Sequence, residues 1–230
     1  MIHPADFLTI ALLVALEGML SVDNAMVLAV LVLGLPRAQQ RKALRYGMLG
    51  AFVFRGIATL LAVYLIKLWW VKLVGGGYLY YLVFQHFGSG ATAEERRAPR
   101  EASSLLGLTP FWSTVVKVEL TDIVFALDSI LVGVAMSPKT WVVIAGGFLG
   151  IAMMRLLIGQ LLSIVERYPP LVDGAFVIIG WVAFKLLVEF LHSGGYTSLE
   201  IPTWFSLAFI VIIFTASFVY SVVKEKRSAR

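Results

Sequence analysis

Five carboxylates lie inside two stretches of the chain that are otherwise apolar, and these residues are the best suited to chemistry. They are Glu17 and Asp23 in the first stretch and Glu119, Asp122 and Asp128 in the second. A charged side chain at the centre of a bilayer costs about 2.5–3.5 kcal/mol on insertion scales. Five uncompensated charges could not be tolerated, so these acids need basic partners, bound protons or a bound cation.

The side chains that follow two of these acids add further oxygen ligands. Asn24 follows Asp23, and Ser129 follows Asp128. Carboxylate, amide and hydroxyl oxygens suit hard divalent cations such as Mg²⁺, Ca²⁺ and Mn²⁺. The chain contains no cysteine, which excludes disulfides and thiolate ligands. The two segments together predict a divalent-cation site built from oxygen atoms.

Basic residues within the apolar stretches offer partial compensation for these charges. These stretches contain six acids and four bases. If every acid is ionised, six minus four leaves two excess negative charges, which one divalent cation would balance. The acids are the five above and Glu189, and the bases are Arg55, Lys117, Arg155 and Lys185. We expect Arg55 and Arg155 to act as structural counter-charges, and Lys185 to pair with Glu189 one turn away. A purely structural network of the acids with the two arginines is the alternative interpretation.

The spacing of the acids leads to a hypothesis about helix geometry. Glu17 and Asp23 are six residues apart, as are Asp122 and Asp128. Six residues correspond to a rotation of roughly 120° around an ideal helix, so a straight helix could not aim both acids at one ligand. We therefore expect the first and fourth helices to be kinked or locally unwound between their acids, with freed carbonyl groups joining the ligands.

The composition places these acids in a membrane protein. The chain is 60% hydrophobic and only 14% charged, with a mean hydropathy of +0.88. A net charge of +5 could indicate nucleic acid, but the basic residues lie between apolar stretches, where they set membrane orientation. A span needs roughly 20 apolar residues, and seven segments qualify: 6–33, 44–66, 70–87, 110–136, 141–163, 172–192 and 203–223. The predicted fold is an all-α, polytopic membrane protein with seven transmembrane helices and no nucleic-acid partner.

The basic residues of the connections also predict the orientation. If the N-terminus is outside, twelve Lys and Arg residues of the connections and termini lie inside, including Arg37, Arg41 and Arg45, against three outside. The three are Lys67, Lys72 and Lys139. We therefore expect an external N-terminus and a cytoplasmic C-terminus. The polar stretch 88–109 reads as a cytoplasmic linker.

Short motifs recur in the two halves of the chain. Leu49, Gly50 and Arg55 match Leu149, Gly150 and Arg155 at a constant offset, and Glu17, Asp23 and Asn24 match Asp122, Asp128 and Ser129 at nearly the same offset. Three helices per repeat force opposite orientations, which is typical of transporters with alternating access. The prediction is a single transmembrane domain over 1–230, with repeat one at 6–87, repeat two at 110–192 and a seventh helix at 203–223.

The segments that carry these motifs resemble the TerC family of integral membrane proteins. The first is Glu17 with Ser21-Val22-Asp23-Asn24, and the second is the run from Glu119 to Ile130, ELTDIVFALDSI. The resemblance extends over most of the chain, including Arg55, Arg155, Gly174, Lys185 and Glu189. It is weakest in the linker and after Ser193.

The resemblance implies export of Mn²⁺ from the cytoplasm, with related divalent ions as further candidates, most simply across a bacterial inner membrane. The ligands that it implies are Asp23, Asn24, Asp122, Asp128 and Ser129, followed by Glu17 and Glu119. Mn²⁺ is then the transported ion, and no organic cofactor is expected. Protons are the expected coupling partner, because expelling a doubly charged ion against a negative-inside potential needs a driving force.

Other functional classes are weighed against the transporter. An enzyme is not expected, because the spans hold no Ser and His pair that could serve as a protease site. A non-transporting membrane factor, which assists membrane-protein assembly or metal and tellurite resistance, stays open as the alternative. A homodimer is an open option that the sequence does not decide.

Overall fold

The structure is a computed structural model that describes residues 3–61, 70–88, 92, 95 and 107–228. The side chains of residues 19–23, 128, 203 and 224–228 lie outside this description. Most of the predicted linker, including residues 96–106, also lies outside the described residues.

The regular structure of the described residues is entirely α-helical and forms seven helices, which confirms the predicted all-α fold. These are α1 (Pro4–Val32), α2 (Arg37–Leu60), α3 (Val71–Phe87), α4 (Pro110–Met136), α5 (Thr140–Arg167), α6 (Pro170–Ser193) and α7 (Thr203–Ser228). Three of them, α5, α6 and Trp204–Val223 within α7, are long and apolar enough to cross a membrane, judged by length and composition. Seven crossings stay a prediction.

Local sequence explains where the helices begin and end. Proline stands at the start of α1, α4 and α6, where its fixed φ suits the first turn and its missing N–H costs nothing. The α6 helix ends in a Schellman motif, in which Tyr196 donates to the Leu191 carbonyl at 2.9 Å and Gly195 to the His192 carbonyl at 3.0 Å. Gly195 adopts a φ of 75°, which favours glycine.

The predicted local unwinding of the acid-bearing helices is wrong. Both α1 and α4 are continuous helices across the segments that hold the paired acids. The prediction assumed that Glu17 and Asp23 must face one ligand. A regular helix suffices instead, because Glu17 already pairs with a basic residue of another helix, as described below.

The chain divides into two compact units. The first comprises Met1–Leu68 and Ala102–Gln160, and the second comprises Trp69–Glu101 and Leu161–Arg230. The first unit therefore holds α1, α2, α4 and most of α5, and the second holds α3, α6, α7 and the end of α5. Each predicted repeat contributes helices to both units, so neither unit corresponds to one repeat.

Small residues allow the helices of the first unit to approach closely. In this unit α4 packs against both α1 and α2. A Cβ atom added to Gly47 of α2 would lie 2.6 Å from Val118 Cγ1 of α4, and one added to Gly133 of α4 would lie 2.8 Å from Val143 Cγ1 of α5. Small residues at such crossings are typical of helix packing in membranes.

In the second unit, α6 packs against α3 and α7. Lys72 at the start of α3 lies 2.9 Å from Glu189 near the end of α6, and His86 at the end of α3 lies 2.9 Å from Asp173 at the start of α6. The two helices are therefore antiparallel, with a Lys–Glu salt bridge near one end and a His–Asp hydrogen bond near the other. Trp181 of α6 donates to Ser206 Oγ of α7 at 2.9 Å.

Candidate functional site

Arg55 is the centre of a polar cluster inside the first unit. Its Nη2 lies 2.9 Å from Glu17 Oε1 and also donates to Ser129 Oγ, and its Nη1 donates to the Gly147 carbonyl at 3.2 Å. The side chains of Arg55 and Glu17 are only 6% and 11% exposed. One guanidinium thus joins residues of α1, α2, α4 and α5 through charge-assisted hydrogen bonds, which are stronger than neutral ones.

Neighbouring residues of α2 and α5 hold this guanidinium in place. The stem of Arg55 passes directly over Gly147, where an added Cβ would lie 2.8 Å from Arg55 Cδ. On its own helix, the Arg55 carbonyl accepts a hydrogen bond from Thr59 Oγ1 at 2.8 Å. Ser129 Oγ also donates to the Ala126 carbonyl at 3.0 Å, which leaves its lone pairs free to accept from Arg55.

A small cavity of about 20 Å³ adjoins this cluster. Glu17, Arg55, Thr59 and Ser129 supply its polar lining, and Leu, Ile and Val side chains and two glycines close the remainder. A volume of roughly 10–15 Å³ on this measure already holds one water molecule. The cavity therefore has room for a single water beside the ion pair.

Glu119 of α4 is in a different situation from Glu17. Its Oε2 is buried and has no hydrogen-bond partner among the described residues. Asp122 follows one turn later on α4, is itself buried, and lies within electrostatic range of Arg55, Glu17 and Glu119. The first unit therefore brings three of the predicted acids into one neighbourhood, and Arg55 makes a direct ion pair with Glu17 there.

The glycines matched by the repeat pack against two of these acids in reciprocal fashion. A Cβ atom on Gly150 of α5 would overlap the Glu17 side chain, and one on Gly50 of α2 would overlap the carboxylate of Glu119. Glu17 and Glu119 therefore occupy equivalent positions relative to the two repeats. The sequence motifs matched Glu17 with Asp122 instead, and the packing shows that the equivalent acid is one turn earlier.

The two repeated arginines do not have equivalent partners. Arg55 pairs with Glu17, whereas Arg155 is half-buried and donates from Nη1 to Met48 Sδ at 3.5 Å. A thioether is a weak acceptor compared with a carboxylate. The contacts of Arg55 therefore match the expected role of a structural counter-charge. The Arg55–Glu17 pair also agrees with part of the alternative interpretation, a purely structural network of the acids with the two arginines.

The remaining predicted ligands are only partly described. Asn24 is buried on α1 and Ser129 belongs to the Arg55 cluster, whereas the side chains of Asp23 and Asp128 lie outside the described residues. Among the side chains that the structure describes, no group of three His, Asp or Glu residues converges on one metal position. The seven-residue metal site stays a prediction.

Two of the predicted coupling charges lie in the second unit. Lys185 Nζ lies 3.3 Å from Glu189 Oε1, as their spacing of one turn predicts. Glu189 also accepts a hydrogen bond from Lys72, which the sequence analysis named only as a charge outside the membrane.

His86 stacks on Phe176 at 3.8 Å besides its contact with Asp173. The contact between His86 and Asp173 was not predicted from the sequence. Its one signal in the sequence was an acidic residue, Asp173, near the start of a predicted helix.

Comparison with known proteins identifies the class to which this arrangement belongs. The model of the integral membrane protein TerC family matches residues 2–229. The chain therefore belongs to the TerC family and is an integral, multi-pass membrane protein.

Individual relatives agree with the family. Uncharacterized membrane protein YceF of Bacillus subtilis (strain 168) is 41% identical over 99% of this chain and 86% of its own length. Membrane protein YkoY of the same organism is 34% identical over 87% of this chain and 68% of its own length. UPF0053 inner membrane protein YgdQ of Escherichia coli (strain K12) is 28% identical over 81% of this chain and 82% of its own length. No solved structure matches this chain.

Proposed function

We propose that all seven helices cross the membrane, with the N-terminus outside and the C-terminus in the cytoplasm, as two inverted three-helix repeats and an added seventh helix. The faces of α2 support this topology. Leu49, Val53 and Ile57 are 52–63% exposed, whereas Arg55 on the opposite face is 5% exposed. An apolar exterior around a polar interior is what lipid requires.

Within this topology, the protein works as a secondary transporter that exports a divalent metal ion from the cytoplasm. The observation that carries the proposal is that two acids at equivalent positions in the two repeats differ in their partners. Glu17 is neutralised by Arg55, whereas Glu119 Oε2 is buried without a hydrogen-bond partner among the described residues. A buried carboxylate without a partner is costly unless a proton or a cation occupies it.

Asp122 and Glu119 on α4 provide carboxylate oxygens to the cargo in this proposal. Asn24, Ser129, Asp23, Asp128 and Glu17 are the other candidate ligands. Oxygen ligands favour Mn²⁺, Mg²⁺ or Ca²⁺ over thiophilic metals. The family resemblance favours Mn²⁺ among these ions.

Protons supply the driving force. Moving two charges outward against the membrane potential costs roughly 2 × 2.3 kcal/mol per 100 mV. Carboxylates that release a metal ion can accept protons in its place, so the same side chains would carry both ions in opposite directions.

Flux measurements in proteoliposomes test this proposal. We expect Mn²⁺ transport to move protons in the opposite direction, and Asp122→Asn to abolish both fluxes. Glu200→Gln is the matched control, because it neutralises a carboxylate that is 75% exposed and far along the chain from the acid-bearing helices. Transport that ignores both a pH gradient and a membrane potential would refute antiport.

The alternative class, a non-transporting membrane factor, makes a different prediction. It requires no ion flux, and it predicts that Asp23→Asn combined with Asp128→Asn folds normally and keeps its cellular role. The transporter predicts that this double variant folds and is inactive. Metal sensitivity of cells that carry each variant separates the two classes.

A further inference from the structure

We propose that Arg155 pairs with Glu119 in a second conformation, as Arg55 pairs with Glu17 in this one, and that each arginine competes with the transported cation for its carboxylate. The inference rests on the proposed function, since it assigns Arg155 a part in releasing the cargo. Arg155 is then a positioning residue that acts on an acid of the site.

The first support is the reciprocal environment of the two acids. Gly50 and Gly150 occupy matched positions in the two repeats, and each provides the flat surface against which one acid packs. Arg55 and Arg155 follow these glycines by the same five residues. Each arginine therefore has the same relation along its helix to a glycine that supports one of the acids.

The second support is the difference between the two halves. Arg55 makes three hydrogen bonds with Glu17, Ser129 and Gly147, whereas the described contacts of Arg155 include only Met48 Sδ as a hydrogen-bond acceptor. Glu119 Oε2 meanwhile has no hydrogen-bond partner among the described residues. One half thus has a completed ion pair, whereas in the other half the described contacts give Arg155 only a weak acceptor and leave Glu119 Oε2 without a hydrogen-bond partner.

The chemistry of arginine makes this exchange suitable for transport. A guanidinium stays protonated throughout the accessible pH range, so it is a permanent cation tethered to its helix. A carboxylate that is engaged by Arg155 is neutralised and no longer attracts a metal ion. Arrival of Arg155 at Glu119 would therefore expel the cargo without leaving an uncompensated charge in the apolar interior.

The exchange is also energetically balanced. One Glu–Arg pair breaks while an equivalent pair forms, so the two conformations differ little in free energy. Two states separated by a few kcal/mol are the condition under which a bound ion can shift the population. Repeats that are equivalent in sequence and unequal in conformation are expected of inverted-repeat transporters.

Calorimetry with Mn²⁺ separates competition from a structural role. We expect Arg155→Gln to tighten Mn²⁺ binding roughly tenfold, within the range of coupling between contacting charged residues, and to slow Mn²⁺ flux. Arg155→Lys keeps a competing cation and should bind Mn²⁺ like the native chain. Unchanged or weaker binding by Arg155→Gln would overturn the proposal.

A distance measurement tests the exchange without any metal. The chain has no cysteine, so spin labels can be attached to cysteines that replace Leu120 of α4 and Leu156 of α5, which are 42% and 72% exposed. We expect Glu17→Gln to shift the distance distribution toward shorter values, because loss of the Glu17 charge releases Arg55. Adding Arg155→Gln should reverse this shift.

The two experiments also separate this inference from the proposed function. A distribution that Glu17→Gln leaves unchanged would refute the exchange even if the native protein transports Mn²⁺. Absence of Mn²⁺ flux in the native protein together with the predicted distance shift would refute the transporter and retain the exchange of ion pairs.

Discussion

Glu17 packs over Gly150 so closely that a Cβ atom on the glycine would lie 2.7 Å from Glu17 Cβ. The contact joins α1 to α5 at the level of the Arg55 ion pair. Any added atom must therefore push the helices apart or displace the carboxylate from the guanidinium. Overpacking of this kind typically costs about 1–3 kcal/mol.

The first prediction follows from this contact. We expect Gly150→Ala to lower the free energy of unfolding by about 1–3 kcal/mol, because the added Cβ would meet Glu17 close to its backbone. Gly159→Ala on α5 is the control, because an added Cβ meets nothing within 4 Å there. Thermal unfolding in detergent provides the measurement. Equal stability of Gly150→Ala and Gly159→Ala would contradict the packing.

The second prediction concerns the Arg55 ion pair. Arg55→Met leaves Glu17 buried without its counter-charge, and breaking such a pair typically costs roughly 3–5 kcal/mol. We expect Glu17→Gln in the same chain to recover part of this loss, since it removes the orphaned charge. Chemical unfolding of the two single variants and the double variant gives the coupling energy.

A surface contact between a histidine and a glutamate serves as the control for that experiment. His192 Nε2 lies 2.8 Å from Glu200 Oε1, with side chains 39% and 75% exposed. Exposed pairs contribute about 0–1 kcal/mol, so Glu200→Gln should have little effect. If Arg55→Met were as mild as Glu200→Gln, the buried cluster would have no part in stability.

The third prediction concerns the charged contacts between α3 and α6. Glu189 accepts from Lys72 at 2.9 Å and lies 3.3 Å from Lys185. We expect Lys72→Met to destabilise the protein more than Lys185→Met, because the Lys72–Glu189 contact joins α3 to α6, whereas the Lys185–Glu189 contact lies within α6. A difference of about 0.5–1 kcal/mol is reasonable for side chains that are partly exposed. Thermal unfolding of both variants with and without Glu189→Gln shows whether each effect depends on Glu189.

The fourth prediction concerns orientation. Labelling with a membrane-impermeant maleimide should modify Leu199→Cys in intact cells, because the connection between α6 and α7 is expected outside. Arg41→Cys should react only after permeabilisation. Both positions are exposed in the structure, so accessibility to the reagent depends on the side of the membrane. The opposite pattern of labelling would invert the proposed topology.

Hydrophobic segments predicted most of the helices. The segment 110–136 coincides with α4, and 172–192 lies within two residues of α6 at its start and one at its end. The second predicted span begins at residue 44 and therefore leaves out the first turns of α2, which begins at Arg37. Its basic first turns interrupt the apolar pattern but remain helical, because Arg and Lys have good helix propensity.

Side-chain partners were harder to predict. Lys185 and Glu189 were predicted to pair because both lie on one helix, where spacing fixes their proximity. The partner of Arg55 depends on the rotation of α1 against α2, which no spacing within either helix determines. Spacing within one helix likewise could not predict which side chains Gly50 and Gly150 contact, although their repeated positions indicated that these glycines matter.

The cavity beside Glu17 and Arg55 has a final consequence. Its volume of about 20 Å³ cannot admit an ion that keeps its shell of several waters, and apolar side chains surround the rest. A hydrated divalent ion therefore does not fit beside the Arg55–Glu17 pair in this conformation. Passage of an ion past this pair would require the helices to rearrange, so the pair would act as a local barrier to leakage of the gradients that the membrane maintains.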